Sequence, residues 1–160
     1  MVGYISISLM ACNGNVSKEQ KETTVKPQET PNQTREITIK ALGNTMEDIH
    51  YSLTEIRLAP GAHVKVTLIN ESKDTTMKHN MIIVNVGTIQ VNATAGAQAG
   101  PQKDYIPNTP TVIAASLLSK PGQTVTFEFI APKAGAYEYF CSYPGHWQKM
   151  NEKLIVGELN

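Results

Sequence analysis

The sequence predicts an all-β domain of the sandwich type, with one short helical flap inserted around residues 90–110. Three observations carry that reading. Apolar residues recur with a period of two in short runs, Pro-Gly turns precede two of those runs, and the stretch from Gly87 to Lys120 lacks the strand pattern. Period two marks a strand with one buried face, because successive side chains point to opposite sides of the sheet.

In chain order, Ile37 and Ile39 alternate with Thr38 and Lys40. After the turn Pro60-Gly61, Val64, Val66 and Leu68 alternate with Lys65 and Thr67. The apolar run Met81-Ile82-Ile83-Val84 supplies a further strand. After Pro121-Gly122, Val125, Phe127 and Phe129 alternate with Thr126 and Glu128, an echo of the earlier Pro-Gly-led strand that points to related positions in one sandwich. Tyr137, Tyr139 and Cys141 share a face of the next strand, and Lys153-Leu154-Ile155-Val156 closes the fold. The flap opens with Ala93-Thr94-Ala95-Gly96-Ala97-Gln98-Ala99-Gly100. Its alanines favour helix, while each interior glycine costs about 1 kcal/mol, so a single short helix is expected.

A chain of 160 residues with 41% hydrophobic content builds one domain with a real core. Fourteen Lys+Arg balance fourteen Asp+Glu, and no basic face stands out, so nucleic acid is not an expected partner. Residues 1–11 read as an export signal, since Gly3 to Ala11 is apolar and too short to span a bilayer. Leu9-Met10-Ala11-Cys12 resembles the end of a bacterial lipoprotein signal, in which the cysteine carries the lipid; no Lys or Arg precedes the apolar stretch, as export signals ordinarily have. From there to Arg35 the chain is almost wholly polar, with Val16 and Val25 its only large apolar side chains, and 12–35 reads as a disordered tether. Residues 36–160 form the folded domain. The expectation is an exported protein of the periplasm or cell envelope, anchored to a membrane through a lipidated Cys12.

The chemistry concentrates in Cys141-Ser142-Tyr143-Pro144-Gly145-His146-Trp147-Gln148-Lys149-Met150, which places a thiolate, an imidazole and a thioether in one loop. A second imidazole, His79, stands far upstream, directly before an apolar strand. His79, Cys141, His146 and Met150 are the donor set of a trigonal thiolate-bearing copper site with a weak axial sulfur. The thiolate donates strongly and loses its proton on binding, the neutral imidazoles complete a plane suited to both oxidation states, and the thioether tunes the potential. Structural zinc prefers four strong Cys and His bonds, and methionine is a poor fourth partner. Taken singly, a lone cysteine or Met150 would be read as core. His50 and His63 stay in that bland class, His63 alternating with Val64 toward water and His50 lacking a partner motif.

On these residues the chain resembles the azurin-like blue copper proteins of the cupredoxin family, which also includes auracyanin and plastocyanin. His79-Asn80 before an apolar strand, Cys141-x-x-Pro144-Gly145-His146-x-x-x-Met150, Lys103-Asp104-Tyr105 and Val112-Ile113-Ala114 carry the likeness, which extends from about Ile37 to the C-terminus. The resemblance implies a Greek-key sandwich or barrel and one type 1 copper ion. It further implies ligation by Nδ1 of His79 and His146, by the Cys141 thiolate and axially by Met150, with Asn80 tying the ligand loops together and backbone N–H groups near the sulfur. Where azurin has glycine before the first histidine this chain has Lys78, which leaves open whether that carbonyl meets the metal, and azurin's disulfide has no counterpart because only two cysteines occur.

The implied function is one-electron transfer through an exposed edge of His146. Docking is expected on an apolar patch of Met46, Met77, Tyr143, Pro144, Gly145 and Trp147, against redox partners such as a c-type cytochrome or a copper or haem reductase. The alternative is a copper storage or delivery protein, which would want a more open site richer in Met or Cys. An enzyme would need further histidines for a catalytic copper, and only His50 and His63 are spare, so catalysis is not expected.

Overall fold

The computed structural model describes Gly3 and residues 34–158. The export signal (Gly3 apart), Cys12 and the tether up to residue 33 lie outside the described residues. Strand β1 (Arg35–Leu42) begins one residue earlier than the expected domain boundary. It is followed by β2 (His50–Tyr51), β3 (Glu55–Leu58), β4 (His63–Asn70), β5 (Ile82–Asn85), helix α1 (Ile89–Ala99), β6 (Val112–Ala115), β7 (Thr124–Ile130), β8 (Gly135–Phe140) and β9 (Asn151–Val156).

The strands form two sheets, ordered β2-β1-β4-β7 and β3-β9-β8-β5-β6. β1 and β4 run parallel, from Arg35 opposite Val64 to Ala41 opposite Asn70, and β4 pairs antiparallel with β7. In the second sheet β8 is flanked by antiparallel β5 and β9, and β3 joins β9 in parallel. The period-two residues face inward as expected: Val64, Val66 and Leu68 of β4 are buried against Ile39, Ala41, Tyr139 and Leu154, with Val125, Phe127 and Phe129 half-buried at the edge. His63 and His50 face solvent.

β5 departs from simple alternation, because Ile82, Ile83 and Val84 are all buried. Ile83 points into the sandwich, while Ile82 and Val84 join Phe140 and Ala93 in a second cluster beneath α1, with Ile89, Ile106, Val112 and Trp147 packed around it. The expected flap is thus a lid over the outer face of the second sheet. Asn92 of α1, itself fully buried, pins it by donating from Nδ2 to the Thr111 hydroxyl (2.8 Å) and accepting from the Thr109 hydroxyl (2.6 Å). The ends of β4 and β8 and the starts of β5 and β9 lie at one end of the sandwich, where the loops that follow or precede them meet.

Candidate metal centre

His79 reaches this end as an isolated bridge. Its N–H donates to the Ser119 carbonyl (3.0 Å) and its carbonyl accepts from the Ser119 N–H (2.7 Å). Asn70, at the end of β4, steadies both flanks by donating to the carbonyls of Met77 (2.8 Å) and Ser119 (3.0 Å). Cys141 follows directly on β8, and its N–H donates to the Met150 carbonyl (3.0 Å). Gly145 takes a left-handed φ of 86°, which turns the chain into the 3-10 segment His146–Gln148. Met150 closes the loop, its N–H donating to the His146 carbonyl at 2.9 Å.

Three donor atoms from these segments converge. Cys141 Sγ lies 3.9 Å from His79 Nδ1 and 3.7 Å from His146 Nδ1, and the two nitrogens are 3.2 Å apart. The point equidistant from all three atoms falls roughly 2 Å from each, the length of a first-row metal bond to imidazole nitrogen or thiolate sulfur. Both imidazoles present the nitrogen that the resemblance implies. His79, Cys141 and Met150 are fully buried.

Asn80 ties the two ligand segments together. Its Oδ1 accepts from the Ser142 N–H (2.9 Å), while Nδ2 donates to the Ser142 hydroxyl (2.8 Å) and to the Asp104 carbonyl (2.8 Å). The Ser142 hydroxyl in turn donates to the Tyr105 carbonyl at 2.7 Å. The flap therefore buttresses the cysteine, with Asp104 and Tyr105 both at positive φ (51° and 55°). Gly96 lets α1 come this close: a Cβ there would sit 2.5 Å from the Tyr105 carbonyl oxygen and 3.1 Å from Ser142 Cβ.

Two expectations are corrected. His146 is only 1% exposed, so no open imidazole edge exists. The Tyr143 ring stands 4.8 Å from it, and Met46 Cε lies close to Gly145, roofing the loop. The apolar patch is also smaller than expected. Met77 is buried at 9% exposure, and Trp147, which packs on the cluster beneath α1, is half-buried as Tyr143 is. Met46, Pro144 and Gly145 are exposed, with Tyr143 and Trp147 partly so. Sequence reading missed Asn70, Ser72 and Ser119 as supports of His79, since isolated serines and asparagines in loops read as ordinary turn residues.

Burial sets the protonation of the site. It pushes the Cys141 thiol up to about 12, against smaller downward pulls from the Asn80 and Tyr143 backbone N–H groups. Burial first, and then the neighbouring His146, lowers His79 to about 3, and burial lowers His146 to about 4. At neutral pH the metal-free site thus holds a thiol and two neutral imidazoles. Because a coordinating sulfur must be a thiolate, copper uptake at pH 7 is expected to release about one proton per ion. Calorimetry in buffers of different ionisation enthalpy checks this, and two or more protons would mean a charged imidazole. In the unfolded chain the imidazoles take protons near 6.5, so the unfolded state binds more protons between that value and about 3–4, and metal-free stability falls as pH drops through that window.

A β-sandwich that gathers one cysteine sulfur and two Nδ1 imidazole donors at a buried loop cluster, with a methionine closing the loop, defines a copper protein of the type 1 kind. The family described as copper binding proteins, plastocyanin/azurin family, matches residues 37–157, and the chain belongs to it. Auracyanin-A of Chloroflexus aurantiacus is 36% identical over 118 residues, which is 72% of this chain and 72% of that protein. Azurin-2 of Alcaligenes xylosoxydans xylosoxydans is 36% identical over 93 residues, 56% of this chain and 72% of its own length. Among solved structures, the blue copper protein auracyanin A of Chloroflexus aurantiacus superposes with a TM-score of 0.70 at 34% identity, covering 78% of this chain and all of that one (100%). The azurin Az-iso2 of Methylomonas sp. strain J gives 0.68 at 28% identity, covering 78% and 98%.

Proposed function

We propose that this chain is a one-electron carrier whose copper is held by His79, Cys141 and His146 with Met150 as the axial ligand. The observation that carries this reading is the convergence of one thiol and two imidazole Nδ1 atoms in a site closed to water, within a family of blue copper proteins. Copper bound there supplies a one-electron couple. The residues supply the rest: the buried donors sit where Asn70, Asn80 and the flap fix them, so that little rearrangement accompanies a change of charge, and water is kept out. A storage or delivery protein would need an accessible site, and the burial of all three donors speaks against it.

Electrons would cross the thin cover over His146, formed by Tyr143, Pro144, Gly145 and Met46, the last 39% exposed. Encounters on so small an apolar face bury less than about 1,200 Å², which suits rapid release. Partners of this kind are redox proteins such as a c-type cytochrome or a copper or haem reductase. The Leu9-Met10-Ala11-Cys12 pattern supports export to the periplasm or cell envelope with a lipid anchor at Cys12, and the mass of the mature N-terminus tests it.

Voltammetry tests the carrier reading, with a fast, reversible one-electron couple expected and an irreversible wave counting against it. Met150→Leu should keep the couple and raise its potential by tens of millivolts, since losing a weak donor disfavours the oxidised ion and each tenfold change in relative affinity is about 59 mV for one electron. An unchanged potential would remove Met150 from the axial position.

A further inference from the structure

The outer nitrogen of His79 faces away from the metal centre, and its partner is Ser72. His79 is fully buried, so solvent cannot decide which ring nitrogen carries the proton. A neutral imidazole has one N–H and one lone pair, and the hydrogen-bond partner of one nitrogen settles the role of the other. Ser72 Oγ lies 3.4 Å from Nε2. That distance is long for an N–H···O bond, so the direction of the bond matters more than its strength.

The direction is fixed by the serine's other partner. Ser72 has a single hydroxyl proton, and it goes to the Gly43 carbonyl at 2.6 Å. Toward His79 the oxygen therefore offers only lone pairs, so Nε2 is the donor of the bond between them, and the Nδ1 lone pair this leaves can accept from His146 Nδ1, 3.2 Å away. Ser72 is 4% exposed and anchored by its own N–H, which donates to Asn70 Oδ1 at 3.0 Å. Asn70 is the same side chain that steadies Met77 and Ser119 on either side of His79. Gly43 is equally constrained, at φ 97° with room for no side chain, since a Cβ would lie 2.5 Å from the Asp48 carbonyl oxygen. Ser119, across the bridge from His79, offers no rival bond: among the described residues its hydroxyl is the one buried side-chain oxygen or nitrogen without a partner.

We propose that Ser72 is a positioning residue that fixes His79 as the Nε2–H tautomer through a relay from His79 to Ser72 to the Gly43 carbonyl, leaving the Nδ1 lone pair free for the metal. The proposal rests on His79 being a copper ligand, and it does not depend on whether the protein carries electrons. With the tautomer set in advance, metal uptake needs no proton shift at His79. Losing such an outer partner weakens metal binding by roughly 10–100-fold.

The test is the imidazole nitrogen spectrum of metal-free, ¹⁵N-histidine-labelled protein, read beside copper affinity by chelator competition. Wild-type His79 is expected wholly as Nε2–H. Ser72→Ala should populate the Nδ1–H form and lower copper affinity about tenfold, and Ser72→Thr, which keeps the hydroxyl, should restore both. A wild-type His79 protonated on Nδ1 overturns the proposal. So does a Ser72→Ala protein that loses thermal stability but keeps the tautomer and the affinity, which is the outcome of a purely structural role. Should Ser72→Ala fail to fold, the wild-type spectrum together with Ser72→Thr still decides. Failure of the carrier reading would show separately, as an irreversible voltammetric wave in a protein whose His79 tautomer is as proposed.

Discussion

Cys141→Ser is expected to abolish the intense thiolate-to-copper absorption of the oxidised protein while leaving the metal-free domain folded. The effect on colour is total because the band belongs to the sulfur itself, and a serine hydroxyl does not ionise to replace it. Copper affinity should fall with it, since the two imidazoles are neutral and the thiolate is the only anionic donor of the three. The fold should survive because the Cys141 backbone N–H keeps its bond to the Met150 carbonyl. The new hydroxyl is not stranded either: the imidazole nitrogens, 3.9 and 3.7 Å from the sulfur, are beyond the reach of an oxygen, but the Asn80 and Tyr143 backbone N–H groups that bond the sulfur remain to donate to it. A buried hydroxyl with a partner costs about 1 kcal/mol or less relative to the thiol, far below the stability of a domain this size. Visible spectra of the copper-treated variant alongside a thermal melt of its metal-free form check both halves. A blue serine variant would remove Cys141 from the metal and with it the whole centre.

What was readable in advance, and what was not, divides along a physical line. Strands such as Val64 to Leu68 were legible because burying one face of a pleat writes itself into the sequence every second residue. The metal donors were legible because soft and imidazole ligands are rare and their chemistry is specific, and three of them share one loop. β2 and β3 were not legible: two and four residues long, they are defined by pairing with β1 and β9 rather than by a pattern of their own. Nor could the surroundings of the donors be read. Ser72 acquires its role only because the parallel pairing of β1 with β4 brings Gly43 beside it, and Trp147 packs on the cluster beneath α1 by way of a glycine-led turn. Beside the local Tyr143, the cover of this loop includes Met46 against Gly145, ninety-nine positions away, and no local signal announces that contact.

Asn80→Ala is expected to be the most damaging substitution outside the donor set, because one side chain joins three segments. It receives the Ser142 N–H and donates to the Ser142 hydroxyl and the Asp104 carbonyl, all within 2.9 Å. Truncation leaves the Ser142 N–H and the Asp104 carbonyl without partners in a space where Asn80 and Ser142 are shut off from water. Each stranded group costs about 1–3 kcal/mol, so a loss of roughly 2–5 kcal/mol is expected, a large share of the stability of a domain this size. The damage does not stop at stability. Asp104 and Tyr105 hold left-handed backbone angles that surrounding bonds must maintain. Without Asn80 the flap loses a hydrogen-bonded anchor near the cysteine loop, leaving the Ser142 to Tyr105 bond and the edge-on contact of the Tyr105 and Tyr143 rings. Cys141 is then free to move relative to His79, and the copper spectrum should broaden and the affinity fall together with the melting temperature. Asn80→Asp discriminates between shape and bonding: it keeps the volume and the acceptor for the Ser142 N–H, but puts a carboxylate oxygen against the Asp104 carbonyl. If Asn80→Asp restores neither stability nor the sharp spectrum, the donor half of the amide carries the clamp. If Asn80→Ala melts and absorbs as the wild type does, the two ligand loops are held together by some other means.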